Sequence, residues 1–338
     1  MKRLILAAAL LAATGVAAAQ PPAPARIGGI ERLSPRFDAL VNPAATVERL
    51  GEGFRWAEGP VWIRRGGYLL FSDVPSNRMH RWSAAAGVSV FLAPSGLAGP
   101  VPASLREAGS NGLIPGPGNT ILMADSGSRA IARLDLATRR KTFLANVYQG
   151  RRFNSPNDLV LARSGAIYFT DPPYGLAGLN DSPLKEQPVN GVYRLDPDGR
   201  VTLIDGDLSF PNGIILSPDG RTLYVANSDP RRAIWVAYRL DAGGDVVSRR
   251  ILADVTAEVG RERPGLPDGM AIDARGNLFA TAPGGILVMA PDGTRLGRIA
   301  TGQPIANCTF GGPDGRTLFM TSNNMIARLR TRTRGLGY

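Results

Sequence analysis

The sequence is poor in the two side chains that most often carry covalent and metal chemistry. Its 338 residues include one cysteine, Cys308, and one histidine, His80. A lone cysteine cannot form an intrachain disulfide, so the core must hold the fold together. Zinc sites built from several cysteines and histidines are excluded. A serine nucleophile of the triad type needs a histidine base, and we interpret His80, in the strand-like segment RMHRW, as a surface or packing residue.

Long apolar runs are also lacking. The chain opens with two basic residues, a short apolar run at 4–11 and small residues at 17–19, MKRLILAAALLAATGVAAAQ. This order is typical of a secretory signal peptide, and the run is shorter than the about 20 residues of a membrane-spanning helix. We predict a signal peptide at 1–19 and a periplasmic or secreted protein with no membrane association after cleavage. An uncleaved N-terminal anchor is the alternative.

Acidic residues are in the minority. The chain has 39 Lys and Arg against 28 Asp and Glu, a formal net charge of +11. The basic residues are nearly all arginine and are scattered in pairs, for example Arg151-Arg152 and Arg249-Arg250. Nucleic-acid binding would require a basic cluster within a recognisable module. We therefore predict a solvated basic surface and no nucleic-acid partner.

Long amphipathic helices are absent from residue 45 onward, where short β-type runs alternate with Gly, Pro, Asn and Asp turns. This alternation indicates an all-β fold. One unit recurs, a glycine-containing turn followed by a short strand that ends in a small or polar residue. Its six copies are RRGGYLLFSD (64–73), GPGNTILMAD (116–125), RSGAIYFTD (163–171), PDGRTLYVAN (218–227), ARGNLFATA (274–282) and PDGRTLFMTS (313–322).

Repeats of this length indicate a propeller, in which four-stranded blades surround a central channel. We predict a six-bladed β-propeller over residues 45–332, with residues 46–50 closing the ring by pairing with the last blade. Residues 20–44 are predicted to form an N-terminal extension, with a short helical piece near 37–41, and residues 333–338 a C-terminal tail. A two-sheet sandwich is the alternative all-β fold, but it gives no reason for the repeat.

A polar residue precedes each repeat unit at the same place. The segments are AEGPVW, SNGLIP, PNDLVL, PNGIIL, PDGMAI and ANCTFG. The aligned residues are Glu58, Asn111, Asn157, Asn212, Asp268 and Asn307. Because the first strand of a blade lines the channel, we expect these side chains to converge at one mouth of it.

Turn formation is the simpler explanation for any single member, since Asn-Gly and Asp-Gly are common turn pairs. Glutamate is not a turn former, however, and Glu58 occupies the same place in the first repeat. A set of converging polar groups must also be satisfied by some partner. Oxygen ligands of mixed charge suit a hard divalent cation, Ca²⁺ above all. Trp56 and Trp62, which flank Glu58, are interpreted as core residues rather than as a sugar-stacking pair.

The same segments resemble the gluconolactonase/senescence-marker-protein/luciferin-regenerating-enzyme family of six-bladed propellers. The resemblance spans roughly residues 45–330. It rests on AEGPVW, LLFSDVPSNRMHRW, GSNGL, SPNDLV followed by YFTDPPYGL, FPNGIILSPDGRTLYVAN and LPDGMAID. The combination of SPND with FTDPPYG is more similar to the bacterial gluconolactonase branch. The resemblance implies a metal-dependent hydrolase whose partner is a small gluconolactone-like sugar lactone.

It also implies a site. One divalent cation, Ca²⁺ ahead of Mg²⁺, Mn²⁺ or Zn²⁺, would be held by Glu58, Asn157, Asn212 and Asp268, with Asp268 as the general base. Substrate-facing positions would be Asn111, Asp171 and Tyr174. The sequence departs from the family pattern at two places, and these leave the identity of the lactone undetermined. Ser155 stands where animal members carry an arginine, and residues 125–127 read Asp-Ser-Gly where bacterial relatives often show His-Gly.

Two other functions remain open at this point. One is a non-catalytic binding propeller that keeps the cation for structure. The other, less favoured, is a quinone-dependent sugar dehydrogenase, a chemistry that needs a hydride-accepting cofactor and a histidine base. The single His80 disfavours this second alternative.

Overall fold

The structure, a computed structural model, describes residues 24–336, and the predicted signal peptide lies outside the described residues. Six antiparallel sheets follow one another along the chain, one for each repeat. Their innermost strands contact each other in sequence, and the inner strand of the sixth sheet contacts that of the first. The predicted six-bladed β-propeller is therefore confirmed.

Each blade has four strands in chain order, except that the last blade takes its fourth strand from the N-terminal region. Blades one and two consist of Ala57–Ile63, Tyr68–Asp73, Arg78–Ser83 and Gly87–Leu92, then Leu113–Pro115, Thr120–Asp125, Ala130–Asp135 and Lys141–Ala145. Blades three and four consist of Leu159–Leu161, Ile167–Asp171, Gly191–Leu195 and Val201–Asp205, then Pro211–Leu216, Thr222–Asp229, Arg232–Leu240 and Val246–Asp254. Blades five and six consist of Met270–Ile272, Leu278–Ala282, Gly285–Met289 and Arg295–Ala300, then Asn307–Gly311, Thr317–Ser322, Met325–Arg330 and Val47–Glu52.

The remaining elements are short. Val147–Tyr148 pairs with Arg151–Arg152 in a small ribbon between blades two and three. The 3-10 helices are Pro35–Ala39, Arg64–Gly66, Leu179–Asp181 and Thr256–Glu258. No helix in residues 24–336 has the length and apolar character needed to cross a membrane.

The ring is closed by the N-terminal strand, as the sequence predicts. Val47–Glu52 runs antiparallel to Met325–Arg330, with Val47 opposite Leu329. Closure pairs the edge of blade six that would otherwise be open. Because the two strands come from opposite ends of the chain, the propeller is complete only when both are folded.

Residues 24–44 pack on the propeller. Arg26–Ile27 adds a fifth strand to blade six, and Gly29–Arg32 adds one to blade five. Between these strands and the ring-closing strand, the 3-10 helix Pro35–Ala39 buries Phe37 in the core shared by blades five and six. A Cβ built on Gly297 would lie 2.5 Å from the Phe37 ring, so glycine makes room for that ring. The predicted helical piece near 37–41 is this 3-10 turn.

Apolar side chains fill the space between neighbouring blades. Trp62 stacks on Phe319 of blade six at 5.1 Å, which matches its interpretation as a core residue. His80 is buried and packs on Phe71 and Phe54, with ring centroids 5.3 and 5.0 Å away. Burial also lowers the pKa of its imidazole. His80 is thus a packing residue inside blade one.

The glycines that follow the aligned polar residues are sites of close approach between blades. A Cβ built on Gly59 would lie 2.0 Å from the carbonyl oxygen of Asn111, and one on Gly213 would lie 2.1 Å from that of Asp268. Side chains cannot occupy this space, so the backbone of each such blade packs directly on the next polar residue. These glycines are therefore required for the packing of one blade on the next, and turn formation alone does not explain them.

Candidate functional site

A cleft of about 580 Å³ opens where the inner strands begin. Of the six aligned polar residues, five line it: Glu58, Asn111, Asn157, Asn212 and Asp268. Each lies in the first two residues of an inner strand or just before one. The repeat therefore brings one polar side chain from each of blades one to five to the same mouth of the channel.

Asn307, the sixth aligned residue, is not on the cleft wall and lines a neighbouring space together with Asp158. Its side-chain oxygen accepts a hydrogen bond from the Cys308 backbone N–H at 2.8 Å. Its amide lies close to the carboxyl groups of Glu58 and Asp158 and lowers the pKa of each. Asn307 therefore supports Glu58 from outside the cleft.

Glu58 and Asp268 are the two acids in the predicted cation set. Glu58 is 3% exposed and accepts a hydrogen bond from the Gly59 backbone N–H at 2.9 Å. Burial raises the pKa of its carboxyl, and the nearby charge of Asp158 adds to the rise. Burial and the charge of Glu58 raise the pKa of Asp268 well above its usual range. No salt bridge within residues 24–336 neutralises either acid.

Two oxygens at this site lack a partner. Asn111 Oδ1 and Asp268 Oδ1 are buried, and neither has a hydrogen bond from any group in the described part of the chain. The amide of Asn212 is oriented from behind, because its Nδ2 donates to Ser228 Oγ at 3.0 Å. Buried acceptors without donors are rare and call for a ligand or an ion.

These observations fit a bound cation. Within residues 24–336 no group of three or more His, Cys, Asp and Glu side chains has a metal-binding arrangement. The candidate set is instead two carboxylates with the amide oxygens of two asparagines, all oxygen donors, which suits a hard divalent ion. Such an ion would satisfy the orphaned oxygen of Asp268 and offset the mutual repulsion of the two acids.

Asp158 is a buried acid that repeat alignment does not single out. It stands where blades one, two, four and five have glycine, and it accepts hydrogen bonds from the backbone N–H groups of Leu159 at 2.9 Å and Ile214 at 3.4 Å. Burial raises its pKa to about 7. The signal in the sequence is the replacement of glycine itself, PND in place of PNG.

Glu107 is a third acid that lines the cleft. It belongs to the segment between blades one and two, which has no counterpart in the repeat, so no pattern points to it. Its side chain pairs with Arg106, with Nη2 and Oε1 3.0 Å apart. Burial raises the pKa of its carboxyl.

Tyr174 lines the cleft, where the sequence placed it. Its ring stacks on Phe210 at 5.6 Å. Ser155 holds the turn that carries it, because Ser155 Oγ donates to the Pro172 carbonyl at 2.6 Å and accepts from the Gly175 backbone N–H at 2.9 Å. The serine at the position of the animal-branch arginine thus fixes a loop of the cleft.

Asp171 and Trp56 lie elsewhere than expected. Asp171 is fully buried at the end of a blade-three strand and is not among the residues of the cleft wall. Its Oδ2 accepts a hydrogen bond from the Asn154 backbone N–H at 2.7 Å, and burial raises its pKa to about 7. Trp56, interpreted as core, is half-buried and lines the cleft.

Comparison with known proteins gives a consistent picture. A family model described as the SMP-30/Gluconolactonase/LRE-like region matches residues 56–324. A gluconolactonase of Zymomonas mobilis is 51% identical over 314 residues, 91% of this chain and 88% of that protein. A pentonolactonase of Haloferax volcanii is 28% identical over 79% of this chain and 81% of its own length. The structure of a gluconolactonase from Xanthomonas campestris superposes with a TM-score of 0.78 at 31% identity, covering 94% of this chain and 99% of that one.

Proposed function

The chain belongs to the SMP-30/gluconolactonase/LRE-like family of lactone hydrolases, and we propose that it opens a gluconolactone-like sugar lactone with the help of a bound divalent cation. The hydrolase class is supported by the 51% identity to a gluconolactonase over most of both chains. The cation rests on one structural observation. Glu58 is buried and Asp268 is half-buried at one cleft, neither has a salt-bridge partner in residues 24–336, and the buried Oδ1 of Asp268 has no donor.

Glu58, Asn157, Asn212 and Asp268 would hold the ion. Two carboxylates and two amides give a charge of −2, which one divalent cation neutralises. Ca²⁺ is the first choice for such oxygen donors, with Mg²⁺, Mn²⁺ and Zn²⁺ as alternatives. When bound, the cation supplies a Lewis acid that polarises an ester carbonyl and promotes ionisation of water.

The chain's own groups account for the other requirements of hydrolysis. Asp268 would accept a proton from the attacking water as the new C–O bond forms at the lactone carbonyl. The ring C–O bond then breaks and the departing ring oxygen takes up the proton held by Asp268, which restores the base. The product is a hydroxy acid whose carboxyl group releases one proton at neutral pH. Asn111 and Tyr174 line the same cleft and are available to hydrogen-bond the substrate.

Proton release makes the reaction measurable with a pH indicator. We expect wild-type protein to hydrolyse D-glucono-1,5-lactone faster than buffer does, to lose this activity in a chelator and to regain it with Ca²⁺, Mg²⁺, Mn²⁺ or Zn²⁺ added singly. Asp268→Asn should lower kcat by roughly 10²-fold or more, as expected for loss of a general base. Asp198→Asn, in an exposed turn of blade three, is the matched control. Full activity of Asp268→Asn, or turnover unaffected by the chelator, would contradict the mechanism.

We also propose that the protein is exported and acts in the periplasm or outside the cell. The support is the order of basic, apolar and small residues in positions 1–19. The intact mass of protein recovered from the periplasmic fraction tests this, because cleavage there would leave a chain that begins at Gln20.

A further inference from the structure

We propose that Glu107 determines substrate specificity by accepting hydrogen bonds from hydroxyl groups of the lactone. The inference rests on the lactonase function proposed above and adds a residue for which the repeat pattern has no equivalent. Glu107 lies on the cleft wall formed by the segment between blades one and two. All predicted cation ligands, by contrast, lie at the start of the inner strands.

The backbone around Glu107 is fixed to the loop that carries Tyr174. The N–H groups of Arg106 and Glu107 both donate to the Gly175 carbonyl, at 2.8 and 3.3 Å. Nearby, Leu105 forms a β-bridge with Leu176. Gly175 also donates its own N–H to Ser155 Oγ. One glycine therefore ties together two wall segments, so Glu107 and Tyr174 are held in a defined relation before substrate binds.

The Glu107 carboxylate has one oxygen occupied and one available. Arg106 is the only residue of 24–336 that hydrogen-bonds the carboxylate, and it does so through Oε1. The residue is 8% exposed, so the other oxygen is inside the cleft with no donor from the described chain. Glu107 shares this cleft with Glu58, Asp268 and Tyr174, so a ligand bound in the cleft lies among all four side chains.

A carboxylate oxygen on a cleft wall that lacks a donor from the protein is available to a ligand that supplies one. Sugar hydroxyls are donors, and an ionised carboxylate has only acceptor sites. Hydrogen bonds to a charged group are stronger than those between neutral groups. A site built in this way discriminates against an analogue without the hydroxyl, because that analogue leaves the carboxylate acceptor unpaired in the complex.

Two other roles for Glu107 make different predictions. As a cation ligand it would change metal affinity on mutation. As a general base it would be needed equally for every lactone. If Glu107 recognises hydroxyl groups, its mutation should leave metal affinity unchanged. It should lower kcat/KM only for substrates that carry hydroxyl groups.

The experiment compares Glu107→Gln and Glu107→Ala with wild type on D-glucono-1,5-lactone and on δ-valerolactone, which has the same ring without hydroxyls. We expect kcat/KM for the sugar lactone to fall roughly 10- to 100-fold, the loss typical of a hydrogen bond to a charged group. For δ-valerolactone, and for Ca²⁺ affinity measured by calorimetry, we expect changes below about threefold. Glu52→Gln, an exposed glutamate of the ring-closing strand, is the matched control.

Three results would overturn the proposal: an equal loss on both lactones, a large drop in Ca²⁺ affinity, or no loss on either lactone. If the wild-type protein hydrolyses neither lactone, the proposed function fails and the recognition role is tested by binding alone. Calorimetric titration with 1,5-anhydro-D-glucitol, a ring with sugar hydroxyls and no carbonyl, then decides. Weaker binding by Glu107→Gln supports hydroxyl recognition, and equal binding refutes it.

Discussion

At the scale of single residues, Asn307 shows how one amide supports two acids. Its Oδ1 is already occupied by the Cys308 N–H, which turns the two amide hydrogens toward Glu58 and Asp158. An amide can donate twice and adds no charge of its own. It is therefore well suited to a place between two carboxylates beside a cation site.

Removing that amide should destabilise the protein. Asn307→Ala takes the neighbouring amide from two buried acids, and hydrogen bonds between neutral groups contribute about 0.5–1.5 kcal/mol each. In denaturant titrations at pH 6 with a chelator, where both acids are largely protonated, we expect the free energy of unfolding to fall by about 1–3 kcal/mol. Asn119→Ala, in an exposed turn of blade two, should change it by about 0.5 kcal/mol or less. Equal effects of the two substitutions would show that the Asn307 amide does not stabilise the protein through these acids.

At the scale of the element, the unit of construction is an inner strand that begins with a polar residue and a glycine. In blades one, two, four and five the glycine leaves no room for a side chain, since the backbone or side chain of the next blade occupies the space. The polar residue and its glycine thus have separate tasks. The first faces the cleft, and the second sets the distance between blades.

A pair of glycine substitutions tests this spacing. Gly213→Ala places a Cβ 2.1 Å from the Asp268 carbonyl oxygen, and backbone cannot move aside as a flexible side chain can. We expect a loss of about 2 kcal/mol or more in the free energy of unfolding. Gly260→Ala is matched, because nothing lies within 4 Å of its Cβ and it needs no left-handed backbone. Its stability should stay within about 1 kcal/mol of wild type, and thermal unfolding of both variants measures the difference.

The elements explain why sequence predicts some features and misses others. The blades are predictable because turn residues and apolar strands alternate locally, and the five cleft residues follow from aligning the repeats. Glu107 is not predictable in this way, since its position depends on a backbone contact with Gly175 some seventy residues away. Asp171 shares a motif with Tyr174, yet Asp171 is the buried last residue of the strand Ile167–Asp171, whereas Tyr174 lies in the turn beyond that strand and reaches the cleft.

At the scale of the whole molecule, the closed ring concentrates acids at the centre of a basic protein. Glu58, Asp268 and Glu107 line one cleft, and the buried Asp158 is close enough for its charge to raise the pKa of Glu58 and Asp268, in a chain whose formal charge is +11. Burial raises the pKa of each. Without a cation, ionisation of these acids therefore destabilises the folded protein. With a bound cation, the ionised acids stabilise it.

This sets a direction for the pH dependence of stability. The pKa of Glu58 is raised from 4.5 to about 8 and that of Asp158 from 3.8 to about 7. In the cation-free protein the protonated acids favour the folded state, a contribution fully present below about pH 4 and lost as pH rises through about 7–8. A divalent cation favours the ionised acids, so its stabilising effect should grow over the same window.

Thermal unfolding with Ca²⁺ and with a chelator, at pH 5 and pH 8, measures this coupling. A cation present at 100 times its Kd adds about 2.7 kcal/mol to the free energy of unfolding. Binding must displace a proton from each protonated ligand. The affinity for Ca²⁺ should therefore fall by up to about tenfold for each such proton with every pH unit below the pKa of the ligands. We therefore expect Ca²⁺ to increase Tm strongly at pH 8 and only slightly at pH 5. NaCl at the same ionic strength is the control and should not increase Tm at either pH. An increase of the same size at both pH values would mean that the ion binds away from the buried acids, because an ion held by Glu58 and Asp268 must compete with their protons.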